Sequence, residues 1–280
     1  MRIRLGYDIG YRLVQPTPMI VILNVHYSRA SDLEQPDLMT TGPAVPYTSY
    51  RDGFGNWVNR LVAPAGDFTL RADTVVRDPG LPDARPDPGT GADRQLAVQD
   101  LPQETLVYLL GSRYCETDRL TEAAWDLFAA VPQGWPLVQA ISEYVHQHID
   151  FDYAAARPTK TALDAFQEGR GVCRDFAHLG VAFCRAMNLP ARYCTGYLGD
   201  IEVPPSADPM DFSGWFEVYL AGGWFTVDPR NLIPRIGRVL IARGRDAADV
   251  AITTSFGPNT LTRFEVWTDE LPEPHPRVQD

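Results

Sequence analysis

The sequence predicts an α+β fold, in which an antiparallel β domain precedes a core of helices packed on a small antiparallel sheet. Three observations predict it. Apolar and polar residues alternate near the start of the chain, apolar residues recur at helical spacing in the middle, and strand-like patterns return after Pro190. A block of strands followed by helices and then by further strands is typical of an α+β protein.

The first 78 residues predict the β domain. Every second residue from 3 to 13 is apolar, which predicts a half-buried strand. Pro16 and Pro18 break this pattern, and the apolar run at 19–27 predicts a second strand. Further strands are predicted at 54–62 and 68–72, beside turns at 52–53 and 64–67. Successive strands joined by short turns predict an antiparallel sandwich over residues 1–78.

A Pro- and Gly-rich stretch separates this domain from the rest. Residues 79–100 read as a linker, because prolines and glycines recur too often for a regular element. The second domain is predicted at 101–248. Its helices are predicted at 122–131 with Thr121 as cap, from Pro136 to 148, at 162–168 with Thr161 as cap, and from Cys173 to 188.

Strand patterns end the second domain and continue beyond it. Residues 191–198, 215–220 and 224–228 predict strands, and the last two form a hairpin that turns near Gly222. In that hairpin Trp215 lies roughly opposite Asp228, and Ser213 shares the same face. Residues 249–270 predict two late strands, packed either on the core or on the N-terminal domain, and 271–280 predict a loose tail.

Composition excludes several classes of function. The formal net charge of −11 makes nucleic acid and anionic membranes poor partners. No apolar run is long enough to span a membrane, and no signal peptide pattern is present, so we expect a cytoplasmic protein. The four cysteines and five histidines show no zinc-ligand spacing, so we expect neither a metal nor another cofactor.

The strongest local signal surrounds Cys173. Gly169 and Gly171 permit a tight turn before the cysteine, and an apolar-faced helix follows it. The first turn of a helix offers unpaired N–H groups and the positive end of the dipole, and both favour a thiolate. A thiolate there can act as a nucleophile. The alternative is that Cys173 is a structural buried cysteine.

Three blocks of sequence together resemble the bacterial transglutaminase-like proteins, many of which are described as cysteine proteases. The blocks are residues 171–179, 190–197 and 215–229, which occur in the family's order within about 100–245. The resemblance implies a papain-like core preceded by a β domain. It also implies that Cys173 is the nucleophile and that Asp228 orients a catalytic histidine on the neighbouring strand.

The chain departs from the family at that histidine, because Ser213 occupies its position two residues before Trp215. A serine hydroxyl can neither draw the proton from the thiol nor protonate a leaving amine, and losing a general base costs on the order of 10²- to 10⁴-fold in rate. His178 lies about 140° round the helix from Cys173 and should point away from it.

Two functions therefore follow from the sequence. The first is amide hydrolysis or acyl transfer on a peptide or protein substrate through a Cys173 thioester, with the Cys173 backbone N–H as one oxyanion donor. The second is a binding or scaffold protein that lost catalysis with the histidine. Arginines at 235, 238, 243 and 245 could hold carboxylates at the cleft, although ion pairs with the protein's own acidic residues are favoured.

Overall fold

The computed structural model describes residues 1–206 and 209–272. Six strands come from the first 78 residues: β1 (Arg2–Leu13), β2 (Thr17–Val21), β3 (Thr40–Gly42), β4 (Tyr47–Arg51), β5 (Trp57–Ala63) and β6 (Gly66–Arg77). The middle of the chain contributes α1 (Thr117–Phe128), α2 (Trp135–His148), β7 (Asp150–Phe151), α3 (Ala162–Glu168), β8 (Arg170–Gly171) and α4 (Cys173–Ala186). The remainder contributes β9 (Ala191–Tyr197), β10 (Ser213–Leu220), β11 (Gly223–Val227), β12 (Val239–Gly244), β13 (Thr253–Ser255) and β14 (Asn259–Leu271).

Two antiparallel sheets form the N-terminal sandwich, and each takes one strand from the end of the chain. Their strand orders are β14-β1-β6-β3 and β13-β2-β5-β4. β14 pairs with β1 along its whole length, from Arg2 opposite Leu271 to Leu13 opposite Asn259. The late strands therefore pack on the N-terminal domain, which is one of the two placements that the sequence left open.

β1 is a strand, as its alternation predicts, but its polar face is also covered. Every residue from Leu5 to Tyr11 is buried, including Asp8. β1 lies between β6 and β14, and the indole of Trp267 lies so close over Gly6 that a Cβ there would meet it at 2.5 Å. The expected half-buried strand is thus buried on both faces in its middle, because its neighbours' side chains close over it.

Other boundaries differ from the sequence prediction for local reasons. β2 ends at Val21, where the next residue's N–H bonds to the carbonyl of Ile252, so the apolar run at 19–27 is only partly strand. α1 begins at Thr117, and the Thr121 hydroxyl donates to the Thr117 carbonyl inside the helix instead of capping it. β12 was not predicted, because the arginines of this segment were interpreted only as ion-pairing or carboxylate-binding groups and not as part of a strand.

The second domain packs four helices on the sheet β11-β10-β9-β12. α4 is central, since every residue from Asp175 to Ala186 is buried. Aromatic rings of Phe128, Tyr144 and Phe166 meet the ring of Phe183 edge-on at 5.5–5.9 Å between centroids. This packing holds the axis of α4 and so fixes its first residue, Cys173, in space.

The two domains share one apolar core. Residues of the sandwich such as Tyr7 and Leu70 belong to the same buried cluster as Tyr197, Val239 and Ile241 from β9 and β12. The sandwich therefore packs directly on residues of the core sheet, and Ala177 of α4 belongs to the same cluster. Within residues 1–206 and 209–272, every helix is too short or too polar to cross a bilayer.

Candidate active site

Cys173 is the first residue of α4. The turn before it is closed by Asp175, whose carboxylate accepts the Val172 N–H at 3.0 Å while lying fully buried. Gly171 passes so close to this carboxylate that a Cβ would meet it at 2.7 Å. The glycine and the acidic residue of the first turn thus place the cysteine, and Asp175 serves the helix start as a capping group.

Ion pairs and hydrogen bonds of charged residues anchor the segment between α3 and α4, which leads into this turn. The ammonium of Lys160, the only lysine of the chain, is fully buried and donates to the Arg170 carbonyl and to the Glu168 carboxylate. Arg157 also pairs with Glu168, at 2.6 Å. Hydrogen bonds from Arg157 and then Lys160 lower the pKa of Glu168 to about 2. The loop between α3 and α4 is therefore tied down on the side that leads to Cys173.

A cavity of about 410 Å³ opens beside the cysteine. Ser213, at the start of β10, lines it together with Cys173, so the structure brings these two predicted residues to one cavity. The remaining polar and charged lining includes Asp200, Asp211, Arg230, Asn231 and Arg235. Most of these come from the segments that precede β10 and follow β11.

Burial raises the pKa of the Cys173 thiol to about 11. Arg230 and the backbone N–H of Gly214 oppose this rise, whereas Asp211 and Asp228 add to it. At pH 7 a thiol with that pKa is ionised in roughly one molecule in 10⁴. The direction is opposite to the one that a helix start alone favours, because desolvation of the sulfur is the largest influence on its pKa.

Asp228 lies one residue beyond the end of β11, opposite Trp215 when the β10–β11 register is extended. Its Oδ1 accepts the backbone N–H of Asn231 at 3.2 Å. Its Oδ2 accepts the Asn231 side-chain amide at 2.8 Å and an Arg238 Nη2–H at 2.9 Å. Both oxygens therefore accept hydrogen bonds, and none of these bonds comes from Ser213. Asp228 lines a separate cleft of about 80 Å³.

Arg238 joins Asp228 to a carboxylate from the linker. Its guanidinium also bonds Asp83, at 3.0 Å and 3.1 Å, and lies over the Trp215 ring at 4.6 Å. The side chains of Arg238, Asp83 and Asp228 are 6%, 13% and 4% exposed. Burial lowers the pKa of Arg238, but the two carboxylates outweigh it and the net shift is upward. We call these three residues the Arg238 cluster.

None of the four histidines among the described residues lines the cavity. His178 is buried on the far side of α4, where its Nε2 accepts the Ala247 N–H at 3.1 Å, and burial lowers its pKa well below the usual value. His26 is buried in the sandwich. His146 is exposed and donates to the Pro229 carbonyl, and His148 is half-buried on α2. His178 thus points away from Cys173, as helix geometry predicts.

The sequence left two roles open for the arginines, which were carboxylate binding at the cleft and ion pairing with the protein's own acidic residues. The structure divides the arginines between the cavity lining and such ion pairs. Arg238 and Arg245 pair with aspartates of the protein itself, although the Arg238 side chain is buried and not on the surface. Arg235 lines the cavity instead. Sequence reasoning missed Asp83, Asp211 and Arg230, and the only signal for Arg230 was its place directly after Asp228 and Pro229.

Within the described part of the chain, no group of three or more His, Cys, Asp or Glu residues could hold a metal ion.

A cysteine at the start of a buried helix, packed against an antiparallel sheet with an aspartate at a strand end, defines a papain-like thiol core. Residues 129–229 match the family model of the transglutaminase-like superfamily. A crystal structure of a protein from Cytophaga hutchinsonii, described as a putative cysteine protease, superposes with a TM-score of 0.84 at 29% identity. That match covers 99% of this chain and 92% of the other.

Two mycobacterial relatives extend the comparison. An uncharacterized protein of Mycobacterium leprae is 27% identical over 260 residues, covering 89% of this chain and 91% of the relative. An uncharacterized protein of Mycobacterium tuberculosis is 30% identical over 234 residues, covering 74% of this chain and 71% of the relative. The chain belongs to the transglutaminase-like superfamily.

Proposed function

We propose that this protein binds a peptide or protein ligand in its transglutaminase-like cleft without completing an acyl-transfer cycle at neutral pH. The observation that carries the proposal is the state of Asp228. Where the family arrangement has an aspartate that orients an imidazole, both oxygens of this carboxylate are engaged by Asn231 and Arg238. The cleft remains open, with a cavity of about 410 Å³ beside the thiol.

The chemistry of the thiol supports the same proposal. Forming a thioester needs a thiolate, and expelling the amine needs a proton donor at the same place. Cys173 has a pKa raised to about 11, and Ser213 offers no group that titrates near neutral pH. A bound amide would therefore rest beside a neutral thiol and leave unchanged.

The second candidate is a thiol amidase or acyltransferase that forms a Cys173 thioester. One observation favours it: Arg230 and the Gly214 N–H both lower the pKa of Cys173, so the cavity contains groups that would stabilise a thiolate. The comparison with a described cysteine protease supports it as well. This candidate needs a base or proton donor supplied by the substrate itself.

The pH dependence of Cys173 alkylation by iodoacetamide separates the two candidates. For the binding protein we expect the rate at Cys173 to rise through pH 9 without reaching a plateau, since the thiol pKa is about 11. Cys173→Ser identifies the labelled residue, because the other three cysteines are fully buried. Rapid labelling of Cys173 at pH 6 would overturn the proposal and favour the enzyme.

Variants that introduce a histidine at position 213 provide a second test of the proposed function. In Ser213→His the imidazole enters the cavity, but Asp228 stays bound to Arg238, so we expect at most a small downward shift of the labelling profile. In the double variant Ser213→His with Arg238→Leu the carboxylate is released to orient the imidazole, and the labelling profile should move toward neutral pH. Equal profiles in both variants would show that the Arg238 pairing is not what keeps the site inactive.

A further inference from the structure

The cavity beside Cys173 is lined by an arginine, Arg230, that has no salt-bridge partner within 4.0 Å among residues 1–206 and 209–272. Arg230 is half-buried, and its guanidinium lies 3.9 Å from the centre of the Phe151 ring. Among residues 1–206 and 209–272 it has neither a hydrogen bond nor an ion pair within 4.0 Å. Stacking on an aromatic face holds the plane of a guanidinium while leaving its N–H edges open to a ligand.

A second arginine faces the same cavity from a buried position. Arg235 is 8% exposed, and two of its nitrogens donate to the Asn231 amide oxygen at 3.2 Å and the Gly199 carbonyl at 2.8 Å. Its Nε is buried without a hydrogen-bond partner among the described residues. Protein atoms enclose this Nε, so Arg235 acts on the cavity through its positive charge and not through that donor.

Two carboxylates line the cavity as well, and neither pairs closely with Arg230. Asp200 accepts the Ser206 N–H at 2.7 Å and comes within 3.9 Å of Arg235. Asp211 accepts the Phe212 N–H at 2.6 Å, and desolvation raises the pKa of its carboxyl. Arg230 lowers the pKa of Asp211 without pairing with it, so Asp211 is the charge that opposes an incoming carboxylate beside Arg230.

From this arrangement we infer that Arg230, assisted by the positive charge of Arg235, forms a carboxylate subsite for the ligand of the cleft, beside Cys173 in the same cavity. The forked donors of a guanidinium match a carboxylate, which accepts two parallel hydrogen bonds. The inference rests on the proposed function only for the peptide nature of the ligand. In a peptide the carboxylate comes either from the chain terminus or from an acidic side chain.

A pair of matched alkylating reagents tests the subsite without any turnover. Iodoacetate and iodoacetamide both form a sulfur–carbon bond with the Cys173 thiolate and release iodide, and they differ only in the charge of the group beside the reacting carbon. Because both meet the same thiolate, the ratio of their rates cancels any change in the thiol pKa. The reference ratio is that of Cys173 in the urea-unfolded chain, read by peptide mass spectrometry.

We expect folding to raise the iodoacetate-to-iodoacetamide ratio at Cys173 about fivefold, as one partly exposed charge pair would. Arg230→Gln should return the ratio to the unfolded value, and Arg230→Lys should keep part of the gain. Asp211→Asn should raise the ratio further, since it removes an opposing charge. The control Arg119→Gln, on the exposed face of α1 and outside the cavity lining, should leave the ratio unchanged.

The subsite is overturned if folding leaves the ratio at its unfolded value, or if Arg230→Gln and Asp211→Asn both leave the native ratio unchanged. Competition identifies the source of the carboxylate. An acetylated dipeptide with a free C-terminus, its C-terminal amide, and an amidated dipeptide that ends in glutamate are compared as protectants of Cys173 against iodoacetamide. Protection by the free acid alone assigns the chain terminus, and protection by the glutamate peptide assigns an acidic side chain.

The two proposals fail in different ways. If the ratio depends on Arg230 but no peptide protects Cys173, the carboxylate subsite stands and the peptide-binding function is wrong. If all three dipeptides protect Cys173 equally and the alkylation ratio does not depend on Arg230, the cleft binds peptides and the subsite is wrong. If the protein cleaves an amide, the non-catalytic function is wrong, and the ratio still decides the subsite.

Discussion

The residues beside Asp228 form a charge network that holds its carboxylate. Asp228 is buried, and a buried carboxylate is costly unless donors or a cation are paired with it. Arg238 supplies the positive charge and shares it between Asp228 and a second carboxylate, Asp83 from the linker. The Arg238 cluster thus anchors the Asp228 carboxylate, which accepts three hydrogen bonds from Arg238 and Asn231.

This role predicts the effect of Arg238→Gln. The substitution leaves Asp83 and Asp228 buried without their shared cation, so we expect the free energy of unfolding to fall by about 3–5 kcal/mol. Urea denaturation followed by tryptophan fluorescence measures it. The matched control is Arg12→Gln, whose partner Asp67 is as exposed as Arg12 itself, and it should leave the free energy of unfolding nearly unchanged. Equal effects of both variants would contradict the structural role of the cluster.

The sequence reveals the residues of the site unevenly. The glycines and the apolar helix located Cys173, and the resemblance of three blocks to the transglutaminase-like proteins located Ser213 and Asp228 on neighbouring strands. The partner of Asp228 was not predictable, because Asp83 reaches Arg238 across 155 residues of chain. The pKa of Cys173 was not predictable either, since the helix start is visible in the sequence whereas the burial of the sulfur is a tertiary property.

At the scale of elements, the turn between α3 and α4 determines where the thiol lies. α3 begins with a reciprocal cap between Thr161 and Asp164 and ends in a left-handed Gly169, and the sequence predicted both ends of this helix. What the sequence did not predict is that buried Lys160 ties the start of α3 to β8. That contact needs the three-dimensional return of the chain after Gly169.

We therefore expect Lys160→Met to loosen this turn. The change removes the donor to the Arg170 carbonyl and one partner of Glu168, at a cost of about 2 kcal/mol in the free energy of unfolding. Hydrogen exchange of the amides at 168–173 should speed up more than exchange in α1. Unchanged exchange in that segment would contradict the anchoring role.

Glu168→Gln serves as the control for this prediction, because Glu168 is 41% exposed and keeps access to water. Its loss should cost less than about 1 kcal/mol at pH 7. The pKa of Glu168 is lowered to about 2, so its contribution is present above the unfolded value of 4.5 and disappears as the pH falls toward 2. The stability difference between wild type and Glu168→Gln should shrink over that pH range.

At the scale of the whole molecule, the first strand pairs with the last one. The sequence predicted the order of a β domain, a linker and a core, and it left the place of the late strands open. It could not reveal that β14 pairs with β1 over twelve residues, because the register of such a long-range pair is set by packing and not by local pattern. It also treated 79–100 as a spacer, although Asp83 enters the Arg238 cluster.

This architecture makes a last prediction about folding. The sandwich and the core sheet share one buried cluster. Without the sandwich, Tyr197, Val239 and Ile241 of the core would therefore be exposed to water. We expect the full chain to unfold in a single transition, with fluorescence and circular dichroism coinciding in urea. A fragment of residues 101–248 should expose that apolar face and fail to give a dispersed amide spectrum by NMR. A folded fragment, or two separated transitions in the full chain, would show that the core is stable by itself and that the sandwich is an independent domain.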